Sequence, residues 1–394
     1  MLLSVAASED AIQQELVSLF VIMAIAAAVP IVLGLLRIRI AEVVFLLGFG
    51  VLLGPYVAGW IEIDAGVSLV AEIGLGFLFF FAGLELEPEA VRGRSGKLAA
   101  IGWGVSMLIA AALAVALNVT GVLEVGVGFA IVLTSTALGT LLPTFRDAGL
   151  LNTNFGKYFM AAGAWGELGP IVAIAVFLGS RNPVVGLIAL FVFGALALMA
   201  SQLPKLSRHA ALAHIIRRGF HTSSQTLVRL SVLFLIGLLA LAGWLGLDVV
   251  LGAFVAGIIV RRYMPSEDEL PLASKVEAVG FGFFIPAFFV ISGARIDVQS
   301  LLDNPWPLLI VLALLLVVRG LPQFFVYRAA IPEPRERARL SLYIATGLPI
   351  IVAVTTIQVN AGIMTSAQAA LLVGAGALSV LIFPLVASWL APRR

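Results

Sequence analysis

Residues 127–143 read VGFAIVLTSTALGTLLP, an apolar run that three hydroxyl side chains interrupt and a proline closes. A proline inside a helix leaves the carbonyl four residues earlier without its hydrogen bond, so Pro143 frees the carbonyl of Gly139. A second apolar run contains ATGLP, in which Pro349 frees the carbonyl of Ala345 in the same way. Both runs therefore predict a helix that is broken near its middle.

The composition around these two runs is that of a membrane protein. Of 394 residues, 61% are hydrophobic and 12% are charged, and the mean hydropathy is +1.11. A soluble protein is nearer half apolar and a quarter charged, so this composition excludes a soluble enzyme, a disordered protein and a nucleic-acid binder. There is no cysteine, which excludes disulfides and thiolate metal sites. We expect the lipid bilayer to be the solvent, with no nucleic acid as partner.

A membrane helix needs about 20 mostly apolar residues. Hydropathy predicts an all-α membrane protein with about thirteen transmembrane helices, at 16–36, 41–59, 66–86, 97–117, 124–145, 155–179, 184–202, 226–245, 247–261, 276–294, 306–328, 339–361 and 367–390. Nearly all of the 24 lysines and arginines follow odd-numbered spans, whereas only Arg181 and Arg295 follow even-numbered ones. The positive-inside rule then predicts an N-terminus outside and a C-terminus in the cytoplasm.

Two segments that lie seven spans apart resemble each other. Span three reads EIGLGFLFFFAG from Glu72, and span ten reads EAVGFGFF from Glu277. An odd offset turns the second copy upside down, and inverted repeats are a common plan of secondary transporters. The sequence therefore predicts two inverted six-helix repeats, in which spans five and twelve are equivalent broken helices. The residues predicted at these breaks, which cross in the family that the chain is shown below to resemble, are Ser135, Gly139, Ala345, Thr346 and Gly347.

Two ionisable residues fall at the centres of spans, where a charge in hydrocarbon is expensive. Glu167 is central in span six and Arg319 in span eleven, so we expect both to face the protein interior and to interact. Pro170 frees the carbonyl of Gly166, beside the acid. A carboxylate, free carbonyls and threonine hydroxyls are hard oxygen ligands, which suit Na⁺ or K⁺.

A single buried carboxylate binds either a proton or a cation, and this competition is enough to couple the two. The alternative is a static Glu–Arg pair that joins two helices. The prolines likewise have the alternative of ordinary kinks that neighbouring side chains satisfy.

Five motifs in order give the chain a family resemblance. They are LLGFGVLLGP at 46–55, FFFAGLE at 79–85, LTSTA at 133–137, GAFVAG at 252–257 and FIPAFF at 284–289. With these motifs the chain, over about residues 16–390, resembles the monovalent cation/proton antiporters of the sodium–hydrogen exchanger domain family, in its bacterial branch.

The resemblance implies a domain organisation. Residues 1–95 and 226–304 would form a dimerisation scaffold, residues 96–180 and 305–394 a mobile core that moves as an elevator, and 181–225 a linker helix with a cytoplasmic loop. It also implies a homodimer in the bacterial inner (plasma) membrane that serves pH homeostasis, with no cofactor.

The resemblance further implies that Glu167 holds the exchanged Na⁺ or K⁺ and the proton in turn, with Arg319 as its basic partner and with Thr134 and Thr136 beside the ion. Here the chain departs from the family, since Gly166 and Glu167 replace a pair that usually ends in Asp after an amide or a second Asp. One carboxylate and a permanently charged arginine favour electroneutral exchange.

Three other function classes would make different demands on the chain. A sodium-coupled organic-anion symporter of similar inverted-repeat architecture is the main rival, and it would need a larger cavity at the crossing. A channel would need a continuous pore. A membrane enzyme is disfavoured because no histidine falls in a predicted span.

Overall fold

The computed structural model describes residues 2–36, 41–86, 91–120, 126–178, 183–206, 226–263 and 271–391, and every regular element within these ranges is helical. The stretch 207–225 of the predicted linker lies outside them. The N-terminal half contains α1 Leu2–Leu36, α2 Glu42–Leu53, α3 Ala65–Glu85, α4 Gly93–Val119, α5 Val127–Leu133, α6 Leu138–Asp147, α7 Asn154–Phe177 and α8 Pro183–Leu206.

The C-terminal half is more often interrupted. It contains α9 Thr226–Trp244, α10 Val249–Tyr263, α11 Pro271–Val279, a π-helical turn Gly280–Phe284, α12 Ile285–Ala294, α13 Val298–Asp303, α14 Trp306–Leu315, a π-helical turn Leu316–Gly320, α15 Leu321–Val326, a 3₁₀ turn Tyr327–Ala329, α16 Pro334–Ile344, α17 Pro349–Asn360 and α18 Ser366–Trp389.

Eight of the helical segments are long and apolar enough to cross a bilayer, among the residues that the structure describes. They are Gln13–Leu36, Ala65–Glu85, Gly93–Val119, Asn154–Phe177, Lys275–Ala294, Trp306–Ala329, Pro334–Asn360 and Ser366–Trp389. Five shorter apolar helices match most of the remaining predicted spans: Glu42–Leu53, Val127–Leu142, Val184–Met199, Val228–Trp244 and Val249–Arg261. A multi-pass, all-helical membrane architecture is thus confirmed, and the number thirteen stays a prediction.

The chain forms two compact units. The first comprises Met1–Leu69, Glu87–Ile171 and Phe289–Arg394, and the second comprises Val70–Leu86 and Val172–Phe288. The first unit contains both interrupted helices together with Glu167 and Arg319, so the candidate site can be described within one unit.

Glycines allow two helices of the first unit to touch through their backbones. A methyl group on Gly50 of α2 would collide with the carbonyl of Val290 in α12, and one on Gly293 of α12 would collide with the carbonyl of Leu47 in α2. Small residues of this kind let membrane helices approach closely, because packing rather than hydrophobicity holds them together in lipid.

The second unit contains a helix pair of the same design. A methyl group on Gly83 of α3 would collide with the carbonyl of Phe254 in α10, and one on Gly257 of α10 would collide with the carbonyl of Phe80 in α3. In each pair, each helix therefore contributes one glycine. That glycine faces a carbonyl of the other helix, and this carbonyl lies three residues before the other helix's own glycine.

Candidate ion-binding site

The first chain break lies between α5 and α6, at residues 134–137, and all four of these residues are buried. The hydroxyl of Thr134 donates to the carbonyl of Ile131 at 2.9 Å, and that of Ser135 donates to the carbonyl of Val132 at 2.9 Å. The backbone N–H groups of the same two residues donate to the same two carbonyls, so each of these carbonyls at the end of α5 has two donors. The hydroxyls predicted to interrupt the helix therefore also cap it.

The second break lies between α16 and α17, at residues 345–348, and it is buried as well. The hydroxyl of Thr346 donates to the carbonyl of Leu342 at 3.1 Å. The backbone N–H of Gly347 donates to the hydroxyl of Ser379 in α18 at 3.1 Å, and this hydroxyl donates in turn to the carbonyl of Gly376 at 2.7 Å. Pro349 is in the first turn of α17, where its missing N–H costs nothing.

The two breaks cross and bond to each other. The N–H of Ala137 donates to the carbonyl of Thr346 at 2.7 Å, and the hydroxyl of Thr136 donates to the carbonyl of Ile344 at 2.8 Å. A methyl group on Gly347 would lie 2.8 Å from the hydroxyl oxygen of Ser135. Two carbonyls at the second break thus accept hydrogen bonds from two neighbouring residues of the first break.

Glu167 of α7 reaches the first break at the start of α6. Its Oε1 atom accepts the N–H of Leu138, the first residue of α6, at 3.1 Å. The N-terminal end of a helix carries a partial positive charge, so this position favours a carboxylate. The side chain is half-buried, which leaves part of the acid accessible to an ion.

The carbonyl of Gly166, which Pro170 deprives of its helical donor, accepts the N–H of Thr136 at 3.0 Å. The proline in α7 therefore has a specific effect in this conformation. It provides an acceptor for a backbone donor of the first break, beside the acid.

Arg319 lies in the π-helical turn after α14 and is fully buried. Its Nε donates to the hydroxyl of Thr136 at 3.0 Å, and its Nη2 donates to the carbonyl of Ala162 in α7 at 2.9 Å. A methyl group on Gly166 would collide with the Thr136 hydroxyl and lie 2.7 Å from Nη2 of Arg319. The glycine beside Glu167 thus leaves the space that the guanidinium occupies.

The structure brings most of the sequence-predicted residues together. Thr134, Ser135, Thr136, Gly166, Glu167, Arg319, Ala345, Thr346 and Gly347 lie at the two breaks or in contact with them. Gly139 is in the first turn of α6 and its backbone is exposed. Sequence reasoning missed Ser379, whose only signal is a serine near the middle of a mostly apolar final helix, and it missed that Thr136 bonds directly to Arg319.

Comparisons with known proteins agree with the motifs. The sequence matches the family described as "Sodium/hydrogen exchanger, transmembrane" over residues 20–392. It is 24% identical over 317 residues to a putative Na⁺/H⁺ antiporter, YjbQ, of Bacillus subtilis, which covers 76% of this chain and 51% of YjbQ. It is 28% identical over 324 residues to the glutathione-regulated potassium-efflux system protein KefC of Escherichia coli, which covers 76% of this chain and 50% of KefC. The chain therefore spans about half the length of these two relatives.

The fold also resembles a solved structure. The sodium proton antiporter MjNhaP1 from Methanocaldococcus jannaschii aligns with a TM-score of 0.61 and 18% sequence identity, over 94% of this chain and 95% of that one. At this identity the likeness concerns the fold alone. Since the family match extends over nearly the whole chain, this protein belongs to the sodium/hydrogen exchanger transmembrane family, as its motifs predicted.

Proposed function

We propose that this chain is a secondary active antiporter that exchanges a monovalent cation, Na⁺ or K⁺, for a proton, with Glu167 as the shared site. The observation that carries the proposal is the position of Glu167, which bonds to the first N–H of α6 at the break where Arg319 bonds to Thr136. The family to which the chain belongs, and relatives named as Na⁺/H⁺ antiporters, support the same activity.

The proposed coupling follows from charge. The helix N-terminus and the nearby guanidinium both favour ionised Glu167, whereas the surrounding lipid and protein favour the neutral form. A cation that binds the carboxylate displaces the proton, and a proton that binds releases the cation. One carboxylate cannot hold both ions well, so each inward step of one ion accompanies an outward step of the other.

The cation ligands are proposed to be a carboxylate oxygen of Glu167, the hydroxyl oxygen of Thr134 and backbone carbonyls of the breaks, with the carbonyl of Gly166 next to the acid. These are hard oxygen donors of the kind that alkali cations prefer. Thr136 has a different task. Its hydroxyl accepts from Arg319 and donates to Ile344, so it positions the guanidinium beside the ion.

The exchange is proposed to be electroneutral, with one cation for one proton. The site has one titratable carboxylate, and an arginine keeps its proton at any pH that the protein meets. The charge of the site is therefore the same on the outward and the return step. In proteoliposomes, exchange should proceed at the same rate with and without an imposed membrane potential, and net transport driven by a potential alone would contradict this stoichiometry.

The two glycine-mediated helix pairs support inverted repeats. Gly50 and Gly293 in one pair correspond to Gly257 and Gly83 in the other, with the same three-residue offset to the contacted carbonyl. We propose on this basis that α2 and α10 are equivalent and that α3 and α12 are equivalent, as in the predicted six-helix repeats. The elevator movement, the homodimer and the cytoplasmic C-terminus remain proposals that rest on the resemblance and on the distribution of charge.

The experiment that tests the function replaces Glu167 with glutamine. The amide oxygen still accepts the N–H of Leu138, so the protein should fold, but no titratable group remains. Na⁺- and K⁺-induced proton release from acid-loaded proteoliposomes should fall to the level of protein-free liposomes. Glu42→Gln, which alters an exposed acid at the start of α2, is the matched control and should exchange normally.

Two outcomes would contradict the proposal. Full exchange in Glu167→Gln would show that this carboxylate takes no part in the mechanism. Cation uptake by the unaltered protein without opposing proton flux would instead indicate a symporter or a channel.

A further inference from the structure

A polar cleft lies between three helices of the first compact unit. It is bounded by the C-terminal end of α12 and by one face each of α17 and α18, and its polar lining residues are Ser292, Arg295, Thr355, Thr356, Asn360 and Ser366. The cavity volume is about 40 Å³, well above the roughly 10–15 Å³ that one water molecule needs. The cleft therefore has room for a small ion, and the antiport proposed above gives it no task.

The polar lining can donate several hydrogen bonds to one ligand. Arg295 is half-buried, and its Nη2 donates to the hydroxyl of Ser68 in α3 at 2.9 Å. A guanidinium has five N–H groups in a rigid fork, so it serves several acceptors at once and matches the oxygens of carboxylate and phosphate groups. The opposite wall is lined by Thr356, Asn360 and Ser366, which carry two hydroxyls and an amide. The lining is thus suited to a ligand that is rich in acceptor oxygens.

The charge of the cleft favours an anion. Among the described residues that line it, only Arg295 carries a formal charge. Two acids that are near Arg295 or its partner in sequence serve helix ends instead, since the Asp297 side chain caps α13 and that of Asp64 accepts a backbone N–H in the first turn of α3. Ser366 is the first residue of α18, and the N-terminal end of a helix carries a partial positive charge. These charges repel a cation, so the cleft differs in kind from the site of Glu167.

The two walls of the cleft belong to parts of the chain that the family resemblance assigns to different bodies. The helix α12 lies within residues 226–304 of the expected scaffold, whereas α17 and α18 lie within residues 305–394 of the expected core. The α12 wall is fixed on its own side, because Arg295 bonds to α3 and a methyl group on Gly54 of α2 would collide with the backbone of Ala294. A ligand that bonds to both walls therefore connects the two bodies.

We propose that this cleft binds a small oxyanion, with the phosphate group as the chemistry that fits, and that the bound anion slows exchange by linking α12 to α17 and α18. The fork of Arg295 holds two of its oxygens, and the polar side chains of α17 and of the start of α18 hold the others. The phosphate is either free in solution or part of a lipid headgroup. Binding is independent of transport, whereas the slowing of exchange rests on the proposed antiport.

Binding of free phosphate is measured by isothermal titration calorimetry on the full chain in detergent, after lipid has been removed. Arg295→Gln should weaken phosphate binding about ten-fold or more, because it removes the charge-assisted fork. Thr356→Val alters the opposite wall at nearly constant side-chain volume and should weaken binding about three-fold. Arg328→Gln is the matched control, because it removes the same charge from an exposed arginine outside the cleft, and its phosphate affinity should be unchanged.

Native mass spectrometry of the protein purified with its lipid distinguishes the two sources of phosphate. A phospholipid that stays bound to the unaltered protein and is lost from Arg295→Gln identifies a headgroup as the occupant, whereas phosphate binding without such a lipid identifies the free anion. If neither ligand binds in a way that depends on Arg295, or if Arg328→Gln loses as much binding as Arg295→Gln, the anion site is overturned.

The effect on exchange is measured in proteoliposomes with inorganic phosphate on both sides, at constant cation concentration and ionic strength. Phosphate should slow exchange several-fold in the unaltered protein and in Arg328→Gln but not in Arg295→Gln, whose exchange without phosphate should be normal. If a headgroup is the occupant, Arg295→Gln should instead exchange several-fold faster than the unaltered protein in vesicles of that lipid.

Binding and exchange together separate the anion site from the antiport. Binding that depends on Arg295 but leaves the exchange rate unchanged would overturn the link between the two walls. Binding that depends on Arg295 in a protein that shows no exchange at all would overturn the antiport and the slowing together, but not the anion site.

Discussion

The two chain breaks have the same length but different surroundings. Each interrupts a helix for four buried residues, at 134–137 and at 345–348. At the first break Glu167 accepts a helix N–H and Arg319 donates to a threonine hydroxyl. At the second, a neutral group meets the backbone, since the hydroxyl of Ser379 accepts the N–H of Gly347.

The charged groups therefore lie at the first break, and the second break holds them in position. The second break provides carbonyls of Ile344 and Thr346 that accept donors of the first break, so it orients the residues among which the charged groups lie. Two broken helices that bond to each other therefore need not have the same task. We expect changes at the first break to affect exchange most, and changes at the second to affect mainly the stability of the crossing.

The largest effect is expected from Arg319→Leu. This change leaves Thr136 and Ala162 without their donor and removes the positive charge from the site. Exchange should fall about 100-fold, in line with the several kcal/mol that follow when one partner of a buried charge network is lost.

Cation-induced proton release in proteoliposomes measures this effect. Arg319→Lys is the control that keeps the charge but not the two-pronged contact, and it should exchange at an intermediate rate. Exchange in Arg319→Leu at the rate of the unaltered protein would contradict the role of the guanidinium.

The next largest effect is expected from Gly166→Ala. The added methyl would collide with the Thr136 hydroxyl and press on the guanidinium, and overpacking of this kind costs about 1–3 kcal/mol. We expect a fall of about ten-fold in exchange rate. Gly347→Ala is the matched change at the second break, where the methyl would lie closest to the Ser135 hydroxyl and away from the guanidinium, and its exchange should be closer to normal. A larger fall in exchange rate for Gly347→Ala than for Gly166→Ala would contradict the proposed difference between the two breaks.

Two threonines of the first break are expected to differ. Thr136→Val leaves Nε of Arg319 and the carbonyl of Ile344 unpaired, at a cost of about 1–3 kcal/mol, and should lower the maximal rate with little change in KM. Thr134→Val removes a proposed ligand and should raise the KM for the cation. Cation titrations of exchange rate separate the two effects. Serine at either position keeps the hydroxyl, so it should restore normal exchange. An identical change in rate and KM for the two valine variants would contradict the different tasks of the two threonines.

The smallest effect is expected from Ser379→Ala. The change removes the acceptor of the Gly347 N–H, and a hydrogen bond between membrane helices contributes about 0.6 kcal/mol on average. Thermal unfolding in detergent should therefore begin at a slightly lower temperature, while exchange stays within about two-fold of normal. A loss as large as that of Arg319→Leu would show that the second break takes part in ion binding.

The sequence alone predicted which residues meet at the candidate site and where they lie along the chain. A lone acid and a lone arginine at span centres, and prolines that follow small polar residues, predicted Glu167, Arg319 and both breaks. Each of these signals arises because a charge or an unpaired backbone group is costly in lipid. Such groups can be recognised from the local sequence. The family motifs added the order of the helices.

Only the tertiary structure decided how these groups are connected. The Thr136 hydroxyl that accepts from Arg319 donates to a carbonyl 208 residues away, and the carbonyl freed by Pro170 accepts the N–H of Thr136 in the first break. Hydropathy places each helix in the bilayer but does not specify its rotation or its neighbours, and a hydrogen bond requires both to within a fraction of an ångström. Which oxygen each donor reaches is therefore settled by packing between helices that are distant in the chain.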